Sequence, residues 1–66
     1  MITEVCDVCG NVMYSKVWNT GNPTLAYNNQ MRILRSQSIH IDFDRVYEIV
    51  VVDEDDDDRV VMQKNV

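Results

Sequence analysis

The sequence predicts a mainly β fold, α+β if its helix forms. The expected architecture is a small antiparallel sheet of four or five strands, with one short helix around residues 24–35. Three observations lead there. Valine and isoleucine are frequent, and β-branched residues suit a pleated, half-buried surface. Apolar residues recur at every second position over Val12 to Trp18 and again from Ile39 onward, the period of a strand. Turn signals separate these runs: Cys6-Asp7-Val8-Cys9-Gly10, Asn19-Thr20-Gly21-Asn22-Pro23, and the acidic stretch from Asp53 to Asp58.

Taken in order, Ile2 to Val5 reads as a short strand that pairs across the cysteine turn with Val12 to Trp18. In the second strand Val12, Tyr14 and Trp18 share a face with the stem of Lys16, while Met13, Ser15 and Val17 share the other. After the Asn-Gly-Pro loop, Thr24 is a candidate helix N-cap. Tyr27, Met31 and Leu34 then fall at i, i+4 and i+7, one helical stripe. Arg32 and Arg35 lie near the end of that helix, where its dipole favours cations. Asn28 and Asn29 are weak helix formers, and a loop to Gln30 followed by a strand from Met31 to Arg35 is the alternative.

From Ile39 the pattern is the strongest in the chain. Ile39, Ile41, Phe43, Tyr47, Ile49 and Val51 hold odd positions, broken only by Arg45; His40, Asp42, Asp44 and Glu48 hold even ones. This predicts one long or bulged strand, or two strands meeting near Asp44-Arg45. From Val50 both faces are apolar, as in a strand covered on both sides. Arg59 to Gln63 returns as a strand, so the acidic run is the tip of a hairpin.

Residues 1–66 read as one small domain. A chain of this length buries only about 60% of the surface its unfolded form exposes. Such chains usually need a disulfide, a metal or a second subunit. No apolar run approaches the ~20 residues of a membrane span, and the first residues lack the basic start and apolar stretch of a signal peptide. A cytoplasmic protein is therefore expected, whose two cysteines are thiols or metal ligands rather than a disulfide.

Cys6-x-x-Cys9-Gly10 resembles the knuckle of zinc ribbons, in which two thiolates in a glycine turn share one cation. The resemblance implies zinc, with Cys6 and Cys9 supplying half of a tetrahedral set. The chain has no second knuckle. The other two ligands would be His40 with an aspartate such as Asp42, or the same cysteines of a second subunit. Two reduced thiols in a turn, binding nothing, are the plain alternative. A redox pair is opposed by Asp7, which sits between the cysteines and disfavours a thiolate.

The charge is segregated. Nine of the eleven acidic residues lie between His40 and Asp58 against Arg45 alone, a charge of −8; the remaining residues sum to +3. That balance disfavours nucleic acid as a direct ligand and favours a basic protein surface as the partner. Six successive acids, Asp53, Glu54, Asp55, Asp56, Asp57 and Asp58, exceed what solubility requires. Neighbouring carboxylates ~6–7 Å apart repel by roughly 0.6 kcal/mol per pair in water. A calcium loop would need acids at alternate positions, a central Gly and a distal Glu, which this run lacks. Asp42, Asp44 and Glu48, continued by the tip, would form a line of carboxylates with spacing related to that of a duplex. Small acidic single-domain chains of this type resemble inhibitors that bacteriophages direct against host nucleic-acid enzymes. The resemblance implies a viral, DNA-mimicking inhibitor.

The leading expectation is thus a non-enzymatic protein-interaction module. Asp42, Asp44, Glu48 and Asp53 to Asp58 would make the charged contacts, and Trp18 would be the apolar anchor. The alternative is a zinc-binding structural or accessory module. The sequence holds no nucleophile–base pair, no open metal set and no phosphate loop. A homodimer is expected too, because Val60, Val61, Met62 and Val66 offer an edge for a second copy.

Overall fold

A computed structural model of the chain describes residues 1–37 and 39–66. Strands β1 (Ile2–Cys6) and β2 (Val12–Val17) precede helix α1 (Pro23–Ser36); strands β3 (Glu48–Asp53) and β4 (Arg59–Asn65) follow it. The strands form one sheet in the order β2-β1-β3-β4, every neighbouring pair antiparallel. The helix crosses one face of this sheet. Among the described residues no helix is long and apolar enough to cross a membrane.

The helix begins where the loop chemistry dictates. Asn22, rather than Thr24, is the N-cap: its Oδ1 accepts from the backbone N–H groups of Thr24 (3.0 Å) and Leu25 (3.3 Å). Pro23 at the first helical position has the fixed φ a helix start needs and no N–H to leave unpaired. Fourteen residues later the chain leaves the helix through Gln37, whose φ is 55°. Arg35 lies in the last turn, as the dipole favours.

The core lies between the helix and the two inner strands. Thr3 and Val5 of β1 and Ile49 and Val51 of β3 point at the helix and are fully buried. Ala26, Gln30 and Leu34 meet them from α1. Tyr27 and Met31 complete the stripe, and Tyr14, Trp18 and Met62 close the flanks. One polar chain runs through this apolar layer. The Trp18 indole N–H donates to Thr3 Oγ1 (2.8 Å), and the Thr3 hydroxyl donates to Gln30 Oε1 (2.6 Å). It ties the residue that follows β2 to β1 and α1. The Gln30 amide nitrogen at its end is buried without a partner among the described residues.

The long strand expected from Ile39 does not form before Glu48. Two local effects outweigh the period-two pattern. Asp42 turns the chain: its Oδ1 accepts from the Asp44 N–H (3.1 Å), and its carbonyl accepts from the Arg45 N–H (3.0 Å), which sets a 3₁₀ turn over Phe43–Arg45. The ladder also runs out of partner, because β1 ends at Cys6, opposite Glu48. Ile39, Ile41 and Val46 still turn inward, where they pack around Leu34, but as loop residues. From Glu48 the expectation holds. β3 is central, and its four middle residues are buried on both faces.

The face away from the helix follows from the register. Val17, Ile2, Val52 and Val60 form a row across all four strands at the end bearing the β3–β4 tip. Ser15, Glu4, Val50 and Gln63 form the next, then Val12, Cys6, Glu48 and Asn65. Ile2, Cys6, Val50 and Val52 pack on one another there.

The polar chain generates a stability prediction. Thr3→Val keeps the side-chain shape but strands the Trp18 and Gln30 groups. It is expected to lower the urea-unfolding free energy by about 1–3 kcal/mol. Gln30→Met, which deletes the orphan amide at similar volume, is expected to cost less. Equal stability of Thr3→Val and the natural chain would show that the hydrogen bonds do not hold the layers.

Candidate interaction site

The tip of the β3–β4 hairpin is built by its own aspartates. Asp53 Oδ1 accepts from the Asp55 N–H (3.1 Å), its carbonyl accepts from Asp56 (3.2 Å), and the Asp56 carbonyl accepts from Arg59 (3.1 Å). Asp57 and Asp58 take left-handed backbone conformations, with φ of 57° and 55°. Aspartate is among the few non-glycine residues that tolerate this region. Part of the acidic run is therefore turn chemistry. The charge is the remainder. Glu54 Oε1 lies 3.6 Å from the N-terminal ammonium and Asp56 Oδ2 3.5 Å from Arg59. The carboxylates of Asp55, Asp57 and Asp58 have no hydrogen bond or ion pair among the described residues, and all three residues are exposed.

The single line of acids expected from Asp42 through the tip is broken in two. Because residues 39–45 are loop and turn, Asp42, Asp44 and Glu48 do not share a strand face. Asp42 is spent on the 3₁₀ turn. Glu48 lies on the open sheet face, where its Oε2 accepts from Gln63 Nε2 (2.7 Å). This group sits at the cysteine-turn end of β3, and the tip sits at the other, ~17 Å away along six strand residues. His40 is exposed in the loop after the helix, beside Asp42 in a shallow hollow with Leu34, Ile39, Ile41 and Phe43.

Trp18 is a core-flanking residue. Its indole N–H is occupied by Thr3, its ring packs on Met1, Ala26 and Val51, and the Lys16 ammonium stands 5.2 Å from the ring centroid. The apolar surface lies elsewhere. Val17 and Val60, at the two ends of the row next to the acidic tip, are 63% and 53% exposed. The sequence placed Val17 on the second face of β2 and Val60 on an edge strand, but not the two in one row, which depends on the register. The signal was there in the alternation, which sets Val17 opposite the Tyr14–Trp18 face of β2.

The cysteine turn is stapled by Asp7. Its carboxylate accepts from the backbone N–H of Asn11 (2.9 Å), the Asn11 side-chain amide (3.1 Å) and the backbone N–H of Cys9 (3.0 Å); Arg45 lies 3.7 Å away. Gly10 at φ 84° completes the reversal. These donors, the Asn11 backbone first, hold the Asp7 carboxyl below the ordinary carboxylate range. The Cys9 amide thus serves Asp7, whereas in a zinc knuckle such amides point at sulfur. Cys6 and Cys9 are both free thiols, the first buried and the second exposed. Burial, then the nearby charges of Glu4, Glu48 and Asp7, push the Cys6 thiol up. Among the described residues no group of three or more His, Cys, Asp and Glu is arranged to hold a metal ion.

Comparison with known protein families, curated proteins and solved structures finds no match.

The Asp7 staple predicts a pH dependence. A carboxyl with a lowered folded pKa stabilises the fold above the ordinary value of about 4 and loses that contribution as pH falls through the folded value. Asp7→Asn should melt lower than the natural chain at pH 7, and the two melting curves should converge below about pH 4. A constant gap down to pH 2 would mean that the turn does not rest on an ionised carboxylate.

Proposed function

We propose that this chain is a non-enzymatic interaction protein that occupies a basic surface of another protein, one adapted to grip phosphates. The contact consists of the acidic tip, Asp53 to Asp58, and the valine row beside it, Val17, Ile2, Val52 and Val60. One observation carries the reading: three unpaired carboxylates, held on ordered turn backbone, adjoin an apolar row whose end residues are more than half exposed. Charge alone steers encounter and is weak in salt; apolar burial supplies affinity but little choice of partner. Together they suit a partner with cationic side chains around an apolar patch. Glu4 and Glu48 continue the same sign across the open face, where the register places no Lys or Arg. A viral inhibitor of a host nucleic-acid enzyme is the biological setting that this size and charge fit.

Zinc has less in its favour, since Asp7 uses the turn amide and the chain has two cysteines where a tetrahedral site needs four ligands. The valines replace Trp18 as the apolar anchor, and the tip replaces the longer acidic line as the charged contact.

Capture of partners from a lysate on the immobilised chain, with elution by a salt gradient, tests the reading. The specific partner should be basic and should elute between 50 mM and 500 mM NaCl. A variant with Asp55, Asp57 and Asp58 changed to Asn keeps the turn chemistry and removes three charges. It should fold at least as stably, because like-charge repulsion falls, and bind at least about tenfold more weakly. A complex indifferent to salt and to these substitutions would refute the proposal.

A further inference from the structure

The outer side of α1 carries a feature that the proposed function does not use. Tyr27, Asn28, Met31, Arg32 and Arg35 of α1 line an open cleft of about 390 Å³. α1 contains no acidic residue, and among the described residues neither Arg32 nor Arg35 has an ion pair. Lys64 of β4 adds a third cation, its ammonium 5.0 Å from the Tyr27 ring centroid. The cleft and its margin thus hold three of the six basic residues of an acidic chain: Arg32 and Arg35 in the lining and Lys64 beside Tyr27.

We infer that this cleft receives the acidic tip of a second copy of the chain, so that the protein associates with itself as a closed, salt-sensitive dimer. Charge complementarity argues for the occupant. Among the described residues Asp55, Asp57 and Asp58 have no side-chain partner, nor do Arg32 and Arg35 have an ion pair, and a tip reaching its own cleft would have to fold back along β4. The placement argues for closure. The tip precedes Arg59 at one end of β4, and Lys64 stands near the other, roughly 16 Å along the strand. β4 is an outer strand of the sheet. Two copies apposed along β4 in antiparallel sense therefore set each tip beside the other's Tyr27–Lys64 end. The contact is isologous: it is made twice, and it stops at two chains. Val61 interrupts the β4 ladder as a bulge, opposed to no residue of β3. Bulges blunt sheet edges, so the dimer rests on its two charged contacts rather than on a shared ladder. This inference goes beyond the proposed function and would hold with no other partner, although it uses the same loop. A basic partner would then have to displace the second copy.

Sedimentation velocity on the purified chain, with a charge swap, decides the matter. The natural chain should be a dimer at 50 mM NaCl, its dissociation constant rising roughly tenfold or more by 500 mM. Glu54→Lys and Asp55→Lys, with Asp57→Asn and Asp58→Asn, take residues 53–59 from a charge of −5 to +1 and make tip and cleft both basic; Arg32→Glu with Arg35→Glu makes both acidic. Each variant alone should be monomeric, with circular dichroism confirming the fold. Mixed, they should form a one-to-one heterodimer, because each tip again meets a cleft of opposite sign. A natural chain that is monomeric at 50 mM NaCl overturns the inference, whatever the variants do. So does a dimer that survives either variant or resists salt, or a mixture of folded variants that stays monomeric. Capture of a basic partner in the lysate experiment is a separate result and can succeed or fail independently.

Discussion

A single helix of 14 residues has to cover a sheet of four strands, and most of the structure follows from that mismatch. The helix is ~21 Å long and about 10 Å wide, whereas four strands span ~14 Å between the outer backbones on each of two faces. It can therefore seal only the middle of one face. The fully buried residues lie where this predicts, on β1, β3 and the inner side of α1. The outer strands β2 and β4 are mostly exposed. Among the described residues no helix packs on the opposite face. Its valines shield one another at the centre, where Val50 and Val52 are buried, and stay open at the rims, where Val17 and Val60 are not.

Charge is arranged around this scaffold with the same economy. Acids gather at both ends of β3, and three bases gather beside the helix. Several acids have structural duties: Asp7 staples the cysteine turn, Asp42 sets the 3₁₀ turn, and Asp53 sets the hairpin tip. Sorting them out leaves a smaller set, Asp55, Asp57 and Asp58, whose carboxylates have no hydrogen bond or ion pair among the described residues. Turn geometry holds those three on ordered backbone, so a partner would meet them without first paying to order the loop.

Most of the fold was legible in the sequence because alternation and turn chemistry agreed. Ile2–Val5, Val12–Trp18 and the hairpin around the acidic run all appear, and the Tyr27–Met31–Leu34 stripe marks the helix. The failure from Ile39 to Tyr47 is instructive. Side-chain period reports which residues turn inward; it does not report whether a neighbouring strand is long enough to pair with them. β1 ends at Cys6, and that fact belongs to tertiary structure. The N-cap was misplaced by two residues because Asn22 and Thr24 both have capping side chains, and Pro23 decided between them. The candidate site was legible in part. The tip followed from charge. The valine row depended on strand register, and the cationic cleft depended on helix and β4 packing together, so neither could be read from a linear pattern.

The proposed contact joins the tip and the valine row in one surface. Methyl and amide NMR of the chain, titrated with the salt-eluted partner, tests it most directly. The account predicts shifts at the methyls of Val17, Val52 and Val60 and at the amides of Asp53 to Asp58, while Leu34 and Ile49 stay in place. Shifts confined to the cysteine turn or to the Tyr27–Arg35 side of the helix would contradict it.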